Sequence, residues 1–201
     1  MLFTKNKKTE ILEGIIKEEL SDGQGNLLLK LNLKYPDIKC RKNDPLAVFA
    51  APFYKKLALG LAEHARGELF KSASEAFSLD PASFLPYSAV MRYDIVNEDS
   101  NILSVALDIS ISDGQGRIRR ERKTQVWERE FGTKCKISYF MPEKELKSKL
   151  LEKYPELDIK HIDREQFSYK NGDIVFYSRE NEREKEYSVS IIEKNSIKEH
   201  E

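Results

Sequence analysis

The chain has 201 residues, of which 34 are basic and 34 are acidic, so its net charge is zero. That balance leaves no long-range field to draw in nucleic acid or an anionic membrane, and no stretch approaches the roughly 20 apolar residues of a membrane-spanning helix. Cys40 and Cys135 are the only cysteines; without a C-x-x-C pair they exclude a thiolate zinc site and allow at most one disulfide.

The N-terminus reads MLFTKNKKTE, where lysines arrive before any apolar run of the roughly 7–15 residues that a signal peptide requires. As written, the expected location is the cytoplasm. Residues 10–35 predict a hairpin, with a turn at Ser21-Asp22-Gly23-Gln24-Gly25-Asn26. In its second arm Leu27, Leu29, Leu31, Leu33 and Tyr35 alternate with more polar positions, the two-residue period of a half-buried strand. Pro36 and the polar residues after it are expected to end this unit.

A long helix follows, predicted over about 46–77, with Asn43 or Asp44 as N-cap and Pro45 in the first turn. Phe53, Tyr54, Leu57, Ala58, Leu61, Ala62, Ala65, Leu69 and Phe70 recur at three-four spacing and must cover a sheet. Pro52 is expected to kink the helix or mark its true start. Beyond Pro81 and Pro86, a second hairpin places Tyr87, Ala89, Met91, Tyr93 and Ile95 on one face, and Leu103, Val105, Leu107, Ile109 and Ile111 on one face of its return strand.

The next turn, Ser112-Asp113-Gly114-Gln115-Gly116-Arg117, nearly repeats the hexapeptide of the first hairpin. The flanks do not match, so the repeat reads as shared turn chemistry and not as a duplication. Residues 117–128 form a charged strand that should pair back onto 102–111. A short helix then runs to about Tyr154 with Leu146, Leu150 and Leu151 inward. A final hairpin turns at Asn171-Gly172, and a strand from Tyr187 to Ile192 precedes a charged tail. The expected fold class is α+β: an antiparallel sheet of hairpins packed against one long helix, with a second short helix. No linker demands a boundary, so residues 1–201 read as a single domain; the alternative division separates 10–80 from 86–192.

Catalytic chemistry is hard to assemble from these residues. His64, His161 and His200 stand in no catalytic motif, and His64 reads as a structural imidazole on or beside the apolar helix face. Both G-x-G fragments lead into strands and lack the helix N-terminus that holds a phosphate. Asp22 and Asp113 offer one carboxylate per loop where a calcium loop needs several, so no metal and no cofactor is expected. A carboxylate pair of glycosidase type would carry no local signature.

The densest basic run is Arg117, Arg119, Arg120, Arg122 and Lys123, with Trp127 close behind. It reads first as an edge strand whose cations prevent aggregation. As a binding surface, the candidates are Asp113, Gln115, Arg117, Arg119 and Trp127, with an anionic protein or glycan as partner.

The order of segments LNLKYPDIK, FYKKLALGLAEHARGELF, PYSAVMRYDIVNEDSNILSVALDISI and TQVWEREFGTKCKI, closed by FSYKNGDIVFYS, resembles the domain of unknown function in RsiV-like anti-sigma factors and ahead of the catalytic domain in PdaC-type peptidoglycan deacetylases. The resemblance covers roughly residues 10–192. It implies a non-catalytic binding or sensor domain, an extracytoplasmic setting and a protein or cell-wall partner, in one branch a lysozyme-type protein. Many members carry a T-G-G-A-H-like turn where this chain has Ser112-Asp113-Gly114-Gln115-Gly116, so the role of the family histidine does not carry over. The alternative is a small-ligand-binding or hydrolytic α+β protein that uses a cleft between sheet and long helix.

Overall fold

A computed structural model describes residues 10–39, 44–180 and 183–191. Cys40, Asn43, Ile192 and His200 lie outside them, and with Cys40 lies the question of its pairing with Cys135. The elements are β1 (Glu10–Ser21), β2 (Leu27–Lys39), α1 (Pro45–His64), a π-helical turn (Ala65–Leu69), α2 (Phe70–Leu79), β3 (Tyr87–Glu98), β4 (Ile102–Ser112), β5 (Ile118–Glu128), α3 (Glu143–Lys153), β6 (Phe167–Lys170), β7 (Asp173–Glu180) and β8 (Arg183–Ser190). The protein is α+β, with a five-stranded sheet in the order β1-β2-β3-β4-β5 and a three-stranded sheet in the order β6-β7-β8.

The larger sheet follows the expected antiparallel hairpins but is mixed, because it also holds one parallel pair. β1 and β2 are antiparallel, but Leu29–Leu33 of β2 run parallel to Tyr87–Met91 of β3. The helical stretch between them is the cause. A parallel pair needs a crossover of a dozen or more residues, and α1 with α2 supplies it. The loops of a few residues that join β3 to β4 and β4 to β5 permit only antiparallel neighbours.

The chain divides into two compact units. The first is drawn from Met1–Asp94, Leu107–Lys123 and Arg129–Thr133. Its core joins Leu29, Leu31, Leu33, Ala89 and Met91 of the strands to Ala58, Ala62 and Ala65 of the helix. Alanine in that row lets the helix backbone approach the sheet closely. Asp44 caps α1 by accepting a hydrogen bond from the Leu46 amide at 2.9 Å, and Pro45 opens the first turn. The helix continues through Pro52 without ending.

Two local features of β1 and β2 are set by single residues. β2 runs on through Pro36, paired with Glu13, to Lys39, so Pro36 does not end the strand as expected. Its parallel partner reaches only Leu33, so at Pro36 that edge requires no amide donor. Gly14 lies opposite Tyr35, and a Cβ there would sit 2.4 Å from the tyrosine ring. Glycine thus admits the ring across β1.

The second unit is drawn from Ile95–Ala106, Thr124–Glu128 and Lys134–Glu201. Ile102, Val126, Leu146, Leu150, Phe167, Ile174, Phe176 and Val189 form its core. Leu151 is 39% exposed, contrary to the inward placement expected for it. Leu146 and Leu150 share a column four residues apart, and the next position turns about a quarter of the way round the helix. Asn171 and Gly172, both at positive φ, make the β6–β7 turn.

Candidate functional site

Within the first unit, α1 and the strands β4 and β5 enclose a cleft of about 610 Å³. On the helix, Phe53, Lys56, Leu57, Gly60, Leu61 and His64 line it. Their spacing is that of one helical face, and it runs beside the buried row Tyr54, Ala58, Ala62 and Ala65. On the sheet, Ile109 and Ile111 of β4 and Arg119, Glu121 and Lys123 of β5 line it. Each strand contributes alternate residues, as one sheet face must.

Phe53, Leu57, Leu61, Ile109 and Ile111 make the walls apolar, while charge gathers on β5 and at Lys56. Lys123 Nζ lies 3.2 Å from Glu121 Oε1. Among the described residues no ion pair or hydrogen bond engages Lys56 or Arg119. Two positive charges therefore face the cleft without an ion-pair partner among the described residues.

Gly60 leaves one position on the cleft-facing side of α1 without a side chain. A glycine inside a helix costs about 0.5–1 kcal/mol relative to alanine. Close packing is not the reason here, because a Cβ at Gly60 would meet nothing within 4 Å. The missing side chain leaves room on the cleft face of α1.

The residues singled out from the sequence are scattered. Asp113 Oδ1 accepts the amides of Gln115 at 3.0 Å and Arg117 at 3.1 Å, and Asp22 Oδ1 likewise accepts those of Gln24 and Asn26 at 2.9 Å each. The repeated hexapeptide is one turn device used twice, and both aspartates are committed to it. Gln115 and Arg117 are exposed, and the Arg117 guanidinium lies 3.9 Å from Asp113. Arg119 alone of the five lines the cleft. Trp127 is 3% exposed with Lys134 Nζ 5.5 Å from its ring centroid, so its ring is not offered to a partner. Among the described residues no group of three or more His, Cys, Asp or Glu side chains is arranged to hold a metal ion.

Sequence reasoning placed Phe53, Leu57 and Leu61 in the covering stripe and offered a cleft between sheet and long helix as the alternative, but it did not identify the residues that line it. The available signal was the glycine interrupting an otherwise strong helix, one turn beyond Lys56.

No protein-family model matches the chain, and no curated protein matches its sequence. Solved structures share its architecture, among them two DUF3298 family proteins. A member of the DUF3298 family from Bacteroides fragilis superposes with a TM-score of 0.61 at 12% identity, over 90% of each chain. A DUF3298 family protein from Pseudomonas aeruginosa superposes with a TM-score of 0.51 at 15% identity, over 91% of this chain and 90% of that one. At such low identity the likeness concerns the fold alone, and the chain shares the α+β fold of these DUF3298 proteins.

Proposed function

We propose that this protein is a non-catalytic binding domain of sensor type, with its ligand seat in the cleft between α1 and β4–β5. The cleft is the observation that carries the reading. Its volume of about 610 Å³ falls in the range of small-molecule sites, which are characteristically apolar with a few convergent polar groups. The resemblance to RsiV-like recognition regions supports a binding role, and the likeness to solved DUF3298 structures is consistent with it. The thiol of Cys135 is a poor nucleophile, since burial and the nearby Glu128 charge push it up to about 12.

Titration with the neutral dye Nile red tests this assignment. One equivalent should bind with enhanced fluorescence, and Gly60→Trp, whose Cβ would meet nothing within 4 Å and whose ring would enter the cleft, should abolish the signal while circular dichroism stays native. Dye binding unchanged by a tryptophan at position 60, or no binding to either protein, would sink it.

A further inference from the structure

We infer that the cleft selects an amphipathic carboxylate, a hydrocarbon body ending in one negatively charged head, with Arg119 and Lys56 receiving the head. This rests on the cleft being a ligand seat and adds the class of ligand. Three observations carry it, and the first is the division of polarity. Phe53, Leu57, Leu61, Ile109 and Ile111 offer apolar wall to a hydrocarbon, and the space opened at Gly60 extends along that wall.

The second is the charge that remains after pairing. Glu121 is matched by Lys123 at 3.2 Å, so the one carboxylate lining the cleft is already neutralised. Lys56 and Arg119 have no such partner among the described residues, and they lie across the cleft from one another, one on α1 and the other on β5. The chain as a whole has zero net charge, so an excess of two cations beside this apolar wall departs from the overall balance.

The third is donor geometry. A guanidinium presents parallel N–H groups that match a carboxylate, and an ammonium adds a point charge with rotatable donors. A cationic head would meet both charges unfavourably, and a neutral head would leave them unused.

Calorimetry with decanoate, decanol and decyltrimethylammonium on the full chain separates the outcomes. Decanoate should bind about tenfold or more tightly than decanol, as a charge-assisted pair predicts, and decyltrimethylammonium more weakly than either. Lys56→Ala combined with Arg119→Ala should bring decanoate down to the affinity of decanol and leave decanol unchanged; both residues are exposed, so the fold is preserved. Equal binding of decanoate and decanol to the unaltered protein would overturn the carboxylate assignment while leaving the cleft a ligand seat. Binding of none of the three, together with loss of a dimer in light scattering on Gly60→Trp, would instead assign the cleft to a second copy of the chain and overturn both readings.

Discussion

Cys135 shows how position governs the chemistry of a single side chain. Its thiol is half-buried, and desolvation, reinforced by Glu128, raises its ionisation to about 12. Because the thiolate is the reactive form, Cys135 should resist a disulfide reagent such as dithionitrobenzoate at pH 8 in a Cys40→Ser background, and react quickly after denaturant is added. Rapid labelling of the native protein would contradict the burial described here. The Asp22 and Asp113 turns were legible without coordinates, because aspartate before G-x-G has few other local uses. Trp127 was not, since alternation along a strand assigns a face but does not say what covers that face further along.

At the scale of elements, the paired periodicities gave a sound account of the helix and most strands. The row from Tyr54 to Ala65 is buried as its spacing requires. Pro36 was misread because proline is excluded from a strand only where its amide would be needed, and neighbouring pairing decides that. The Ala65–Leu69 π turn carries Arg66, whose guanidinium forks onto Glu18 of β1, with Nε 2.9 Å from Oε2. That hydrogen bond, together with the Arg66 charge and against partial desolvation, holds the Glu18 carboxyl below its ordinary range. A carboxylate with a lowered folded value adds stability above the unfolded carboxylate range and loses it as pH falls through the folded value. Thermal unfolding followed from pH 7 into the acid range should therefore show a steeper loss of Tm for the unaltered chain than for Glu18→Gln. The difference should be small, because solvent screens a pair with side chains 42% and 29% exposed.

Over the whole molecule, the equal count of basic and acidic residues predicts that duplex DNA is not retarded in a gel-shift assay at physiological salt. Retardation that weakens steeply with added salt would reveal a cationic face that the overall balance conceals. β1 and β5 are the outer strands of the larger sheet, and the charged residues of 119–123 stand on one of them. Cations there oppose pairing with a foreign strand. Arg122 is further fixed by Asp108, with Nε 2.7 Å from Oδ1 and Nη2 3.0 Å from Oδ2.

From its sequence alone this protein is determined to be α+β, with hairpins of known turn chemistry and a long amphipathic helix, because those properties depend on residues close together in the chain. The mixed sheet and the cleft were decided only by tertiary structure. Strand direction beside β2 depends on where the helix returns the chain, and a cleft is a gap between a helix face and strand residues that lie more than 40 positions beyond it in sequence. No local period records a space that side chains leave empty.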